Sequence, residues 1–258
     1  MNLGDEFKQR IMTNLCLPER KFAEGQPELM DRPEAKPADL VQALANIENM
    51  NRFFDGYRLV RHVVDRWLVA DTSVSILDLC TGGADIPRYL VRLARSRGVR
   101  LRLVALDMHP VTLQIAQQRS AAYPEIELVQ DDALSFFSRR KFDYVLCLLS
   151  LHHFSMEDAR LLLRRSLALA ERGILVGDLR RSDFALGGIY FLTATVMRHR
   201  MTKVDGRLSI QRAFSWTELA DLAHSAGWRN FRQKAFSFTR QAIWLEGDAL
   251  RESVRLGG

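Results

Sequence analysis

Cysteine is scarce in this chain: Cys16, Cys80 and Cys147 are the only three, far apart and without a C-x-x-C pair. A disulfide framework and a cysteine-built zinc site are therefore not expected. No apolar run approaches the ~20 residues that a membrane span needs. The opening stretch MNLGDEFKQR carries acids where a signal peptide has a basic start and an apolar core. The expectation is a cytoplasmic protein. Internal repeats and low-complexity linkers are also missing, and so is any block of one charge sign. The basic excess, 37 Lys+Arg against 31 Asp+Glu, is scattered through stretches such as RLARSRGVRLRL and MRHRMTK. Dispersed charge of this kind reads as solvated helix faces, so no nucleic acid is expected as a partner.

What is present is an ordinary globular composition, 47% hydrophobic and 26% charged over 258 residues, suited to one large domain with or without an extension. Pro18, Pro27, Pro33 and Pro37 interrupt the first segment. Leu40, Leu44 and Ile47, then Leu59, Val63 and Leu68, recur at helical spacing. They predict two helices parted near Asp55-Gly56, ahead of the first strand.

From residue 74 the rhythm becomes strand, loop, helix. VSILDL, RLRLVALD, IELVQDD, FDYVLCLLSL and GILVGDL read as strands. IPRYLVRLARSRG, PVTLQIAQQRSAA and MEDARLLLRRSLALAERG read as the helices between them. Alternation of this kind predicts an α/β fold with a Rossmann-like, doubly wound sheet, whose ligands bind beyond the carboxyl ends of the strands. Further on, FALGGIYFLTATVMRHRMT predicts one apolar helix following Gly187-Gly188. SWTELADLAHSAGW predicts another, with Ser215 and Glu218 as a capping box and Gly227 as its stop. FRQKAFSFTRQAIWLEG predicts two closing antiparallel strands.

The loop in ILDLCTGGADIP, residues 76–87, joins the first strand to the first helix of this pattern. Gly82 and Gly83 let a backbone approach a ligand closely. Cys80 and Ala84 stand where the commonest cofactor loops have glycine. Partners decide the matter, because a lone glycine loop is weak evidence. Asp107 ends the second strand roughly 20 residues on, the offset of a ribose-binding carboxylate. Asp132 follows the third strand. Three strand-end carboxylates in this order are more specific than the loop.

ILDLCTGGADIP, VALDMHP, QDDAL, FDYVLCLLSLHHF and ERGILVGDL resemble the successive motifs of class I S-adenosylmethionine-dependent methyltransferases, over about residues 74–180. The loop is most similar to that of the quinone C-methyltransferases, in which cysteine and alanine replace glycines and an aspartate follows. The resemblance implies S-adenosylmethionine as cofactor. Asp78, Thr81, Gly82 and Gly83 would shape the methionine pocket, and Asp85 would orient the amino group. Asp107 would bind the ribose, Met108 would pack on the adenine, and Asp132 with Ala133 would meet the adenine edge. The backbone at Cys147 and Leu148 would lie under the methionine portion. The flanks, including GDLRRS and DGRLSIQRAFSWTELADLAHSAGW, are similar to bacterial small-molecule methyltransferases of phenolic and polyketide-type biosynthesis. The implied division is an N-terminal helical extension and lid over 1–70, then a cofactor-binding domain over 71–258 with a helical insert at about 183–212.

A phenol titrates near 10, like tyrosine, so an imidazole beside it assists loss of its proton. His152, just past the fourth strand, is the candidate base, with a packing and loop-capping role as its plain alternative; His199 is a weaker candidate. Arg180 and Arg181 could bind an acceptor carboxylate or phosphate, or pair with acids of the N-terminal helices. Phe53, Phe54, Tyr57, Tyr190, Phe191 and Phe214 are candidate walls for an aromatic acceptor. No metal-ligand set is expected, with Asp131 and His153 the residual candidates. The leading expectation is O-methylation of an aromatic or polyketide-like small molecule. C- or N-methylation of a quinone-like acceptor is the alternative, and a cofactor-binding fold without methyl transfer is a third. A homodimer is compatible with all three.

Overall fold

A computed structural model describes residues 17–23, 25–195, 197–237 and 239–257. Cys16 and the rest of residues 1–16, the start of the expected extension, lie outside the described residues. The elements are α1 (Pro37–Phe53), α2 (Gly56–Val64), β1 (Ser73–Leu79), α3 (Asp85–Ser96), β2 (Arg100–Asp107), α4 (Pro110–Arg119), β3 (Ile126–Gln130), β4 (Phe142–Leu148), α5 (Met156–Leu169), β5 (Ala170–Leu179), α6 (Asp183–Thr195), α7 (Arg200–Arg212), α8 (Trp216–Ser225), β6 (Arg232–Phe236), β7 (Arg240–Glu246) and α9 (Asp248–Gly257). One sheet runs β3-β2-β1-β4-β5-β7-β6. Its first five strands are parallel, and β7 is antiparallel to both β5 and β6. No described helix is long and apolar enough to cross a membrane.

Alternation along the buried strands splits the core in two. Leu77, Leu79, Val145, Cys147, Ile174 and Val176 face a cluster with Leu162, Leu163, Phe214 and Trp228 of the α5 and α8 side. Ile76, Leu103, Leu146, Leu175 and Trp244 face the other way, against Leu59, Val63, Leu90 and Val91 of α2 and α3. Each fully buried Leu or Val stabilises the fold by roughly 1.5–3 kcal/mol. The α1–α2 break expected near Asp55-Gly56 is present: Asp55 is left-handed (φ 60°), and a Cβ on Gly56 would lie 2.5 Å from Asn51 Oδ1. The capping box of Ser215 and Glu218 also forms, and Gly227 beyond it has φ 90°.

Four boundaries differ from expectation. β3 stops at Gln130, leaving Asp131 and Asp132 in the following loop. β4 stops at Leu148 because Leu149 turns left-handed (φ 54°) and leads into a 3-10 turn, Leu151–His153. α5 ends at Leu169, and the AERG expected in it begins β5 instead, with Ala170 paired to Phe142. The single helix expected over 184–202 is two, α6 and α7. α6 starts ahead of Gly187-Gly188, where the Ser182 hydroxyl receives the Ala185 N–H. Near its end the Thr193 and Thr195 hydroxyls donate back to the carbonyls of Ile189 and Phe191, a local competition that weakens helical continuity. α9 was not anticipated at all.

The winding direction reverses between β1 and β4, since β2 pairs one edge of β1 and β4 the other. A crevice therefore opens over their carboxyl ends. α1, α2, α6 and α7 cover that end, which places them around the crevice.

Candidate active site

The β1–α3 loop is held in an unusual backbone shape. Cys80 (φ 58°), Gly82 (φ 54°) and Ala84 (φ 55°) are all left-handed. Cys80 and Ala84 thus occupy backbone that glycine adopts without strain, at a cost of roughly 1–2 kcal/mol each. Asp107 at the end of β2 compensates: its Oδ2 accepts the Gly82 N–H at 2.8 Å and its Oδ1 accepts the His109 N–H at 3.0 Å. Thr81 donates from its hydroxyl to Asp78 Oδ2 at 2.6 Å. Asp85, at the N-terminus of α3, accepts from Asn51 Nδ2 at 2.9 Å and from the Tyr57 hydroxyl at 3.4 Å, tying α1 and α2 to the loop.

These carboxylates are buried together without enough countercharge. Burial, opposed by the Thr81 hydrogen bond and reinforced by Asp85 and Asp107, pushes Asp78 up to about 7. Burial likewise raises Asp85. Such a site favours a cationic ligand, whose charge would return the carboxylates to their ionised form. S-adenosylmethionine, with its sulfonium and ammonium groups, fits that field; a dinucleotide pyrophosphate would be repelled by it.

A second polar cluster stands opposite, beyond β4. His152 is buried; its Nδ1 lies 2.7 Å from Asp178 Oδ1, and its backbone N–H donates to Asp178 Oδ2 at 2.8 Å. An ionised Asp178 places the ring proton on Nδ1 and leaves Nε2 as a proton acceptor. That Nε2 is 3.8 Å from Glu28 Oε1. His153 is held by Asp31, with Nδ1 2.9 Å from Oδ2, and its Nε2 is 4.0 Å from Glu28 Oε2. Burial alone would lower His153, but the carboxylates of Glu28 and Asp31 reverse this and raise it to about 9. Glu28 itself accepts from the Ser209 hydroxyl at 2.7 Å. Among the described residues, Glu28, His152 and His153 bring ligand atoms within 4.8 Å of one another, a grouping that could hold a cation. A proton on His153 and a metal would compete for this grouping, since metal binding releases the ligand's proton.

Both clusters line one cavity of about 640 Å³. Asp78, Thr81, Gly82, Gly83, Asp85, Asp107, Met108, Asp132, Ala133, Leu148 and His152 all face it. Met108 stands 59% exposed at its rim, open to a planar ligand. Cys147 does not line it: its side chain is packed into the α5-side core, one step out of phase with Leu148 on the strand. Burial raises the Cys147 thiol well above its ordinary range, as it does that of Cys80, so neither acts as a nucleophile at neutral pH.

Other expectations need correction. His199 is the N-cap residue of α7, 3.1 Å from Thr202 Oγ1 and 3.4 Å from Asp39, and does not itself line the cavity. Arg181 is committed to Glu218 Oε1 and Oε2 at 2.5 and 2.6 Å and does not reach the cavity; nor does Arg180. Of the candidate aromatic walls only Phe54 lines the cavity. Phe214 is core, Tyr57 stacks on Tyr89 at 4.4 Å, and Phe53 and Phe191 are exposed. The apolar walls are aliphatic instead, among them Leu44, Ile47, Leu59, Ile189 and Leu192. Residues missed from the sequence are Glu28, Asp31, Asn51, Asp178 and Arg240. Asp178 had a signal, as the one charge in the apolar run ILVGDL. Glu28 and Asp31 sit in a proline-broken segment with no periodicity to read.

Residues 76–173 match the model of a methyltransferase domain. That segment is similar to a methyltransferase domain. A 2-phytyl-1,4-naphtoquinone methyltransferase of Thermosynechococcus vestitus is 44% identical over 69 residues, which is 27% of this chain and 29% of that protein. The chain thus spans under a third of that curated relative's length. Human N-acetylserotonin methyltransferase, solved with S-adenosylmethionine, superposes with TM-score 0.61 at 17% identity, over 86% of this chain and 63% of its own. A SAM-dependent methyltransferase of Aquifex aeolicus superposes with TM-score 0.57 at 12% identity, over 79% of this chain and 96% of its own. The methyltransferase fold therefore extends past the matched segment, through β5, β7 and β6.

Proposed function

We propose that this protein binds S-adenosylmethionine over the β1–α3 loop and transfers its methyl group to a hydroxyl of an aromatic or polyketide-like small molecule. The observation that carries the reading is the pairing, in one cavity, of a carboxylate-lined cofactor lobe with a buried imidazole held by Asp178. Asp107 holds the ribose, Met108 and the Asp132–Ala133 turn hold the adenine, and Asp78, Thr81, Gly82, Gly83 and Asp85 surround the methionine end. The described part of the 1–70 extension covers the site, residues 71–258 form the cofactor-binding domain, and the insert at about 183–212 completes the acceptor wall.

Bound S-adenosylmethionine supplies an electrophilic methyl on a cationic sulfur. The protein's part is alignment and proton removal. His152 Nε2 takes the acceptor's hydroxyl proton. Asp178, on Nδ1, fixes the tautomer and stabilises the imidazolium that results. Glu28, 3.8 Å from Nε2, adds a second favourable charge. The aliphatic walls exclude water and keep the reacting oxygen poorly solvated.

A second reading, C-methylation of a quinol-like ring, is favoured by the 44% identity to the naphthoquinone enzyme. The same base serves it, because a phenolate also reacts at ring carbon. Assay with labelled S-adenosylmethionine against phenols and quinols, with NMR of the product, separates the two. His152→Ala should lower turnover by roughly a hundredfold with little change in KM. Unchanged turnover would make His152 structural, and no transfer to any acceptor would leave the fold as a cofactor binder.

A further inference from the structure

Arg240 begins β7, is 4% exposed, and lines the cavity. Its Nε has no hydrogen-bond partner, and among the described residues no ion pair reaches its guanidinium. Burial depresses it to about 10 despite the more distant charges of Asp178, Asp85 and Asp55. A buried, unpartnered guanidinium costs stability, which marks it as a group awaiting a ligand. Arg181 and Arg212 already hold protein partners, although Arg212 Nε, like Arg240 Nε, has none. Arg181 is bound by Glu218, and Arg212 donates to the Gln26 carbonyl.

Its place in the sheet says which ligand it meets. Arg240 pairs with Leu179, the residue after Asp178, in the antiparallel β5–β7 ladder. Arg240 therefore stands at the carboxyl end of β5, on the strand beside it, and lines the same cavity as His152. Apolar residues line the same cavity, among them Phe54, Leu59, Val60, Leu148 and Leu179. A planar fork in such a setting selects a carboxylate, which it can grip through two parallel hydrogen bonds.

We propose that Arg240 is the anion anchor of the acceptor site, and that the acceptor is an aromatic carboxylic acid whose ring also carries the hydroxyl presented to His152. The anchor itself is independent of methyl transfer; only the identity of its ligand as the acceptor rests on the proposed function.

The test is thermal-shift and calorimetric titration of the full chain with hydroxybenzoates and hydroxynaphthoates, against the matching phenols and naphthols. The acids should raise the melting temperature and the carboxylate-free partners should not. Arg240→Met should weaken acid binding by roughly 30-fold or more, should melt no lower than the parent without ligand, and should bind S-adenosylhomocysteine unchanged. Arg240→Lys keeps the charge but not the fork, and should fall between. Equal shifts by acids and phenols, or no shift by any acid, would overturn the proposal. Loss of S-adenosylhomocysteine affinity in Arg240→Met would overturn it too, assigning the anion to the cofactor's own carboxylate. Acid binding that persists without detectable methyl transfer would leave the anchor standing and refute only the proposed reaction.

Discussion

The charge on His153 couples the active site to the stability of the fold, and the size of that coupling can be worked out. Unfolded, the imidazole titrates near 6.5; folded, facing Glu28 and Asp31, it holds its proton up to about 9. The folded protein therefore binds the proton more tightly. The resulting stabilisation is fully present below pH 6.5 and is lost as pH rises through about 9. At 1.36 kcal/mol per unit the difference is on the order of 3 kcal/mol. The perturbation is His153→Gln, which cannot be charged. Urea unfolding at about pH 6 and about pH 9.5 gives the two free energies for each protein. The parent should lose on the order of 3 kcal/mol more than the variant across that interval. Buried Cys80 and Cys147 add a loss of the same sign near the upper end, and subtracting the variant's change removes their contribution. Parallel pH profiles for the two proteins would refute the account of this cluster.

Asp178→Asn should reduce turnover by roughly tenfold to a hundredfold with KM nearly constant, because the amide no longer fixes the His152 tautomer or stabilises its protonated form; equal loss of turnover and stability alone would argue for a packing role. Gly177→Ala places a Cβ 2.8 Å from the Cδ2 atoms of both Leu148 and Leu59, so it should cost about 1–3 kcal/mol by overpacking and raise the acceptor KM, read by thermal melts and steady-state kinetics. Exhaustive dialysis against EDTA should leave methyl transfer intact, because the proposed transfer uses His152 as its base; activity lost to EDTA and restored by zinc would show that a metal belongs in the Glu28–His152–His153 grouping.

Strong local rules made much of the architecture readable. β2 ends where expected, at Asp107, because a fully apolar run closes on a carboxylate. α8 is bounded by a capping box and a left-handed glycine. The errors fall where a short-range pattern is overridden. Nothing local says that Leu149 turns left-handed and ends β4, or that AERG joins β5 through pairing with Phe142. The carboxylate side of the cavity was legible for the same reason as the strands: Asp78, Asp107 and Asp132 sit at or just past strand ends in chain order. The acceptor lobe was not. Glu28 reaches His152, and Arg240 joins the cavity lining beside Leu179, through contacts between segments far apart in sequence. Arg180 and Arg181, the arginines suggested for that lobe, do not line the cavity. Arg240 lines it because strand pairing, invisible in the local pattern, brings β7 alongside β5.

The most direct test of the central claim is calorimetric titration of S-adenosylmethionine into the protein and into Asp107→Ala. A charged hydrogen bond to the ribose is worth about 1.5–3 kcal/mol. The parent should therefore bind with one-to-one stoichiometry and the variant roughly 10- to 100-fold more weakly. Equal affinity in the two proteins, or no binding by the parent, would contradict the placement of the cofactor over the β1–α3 loop.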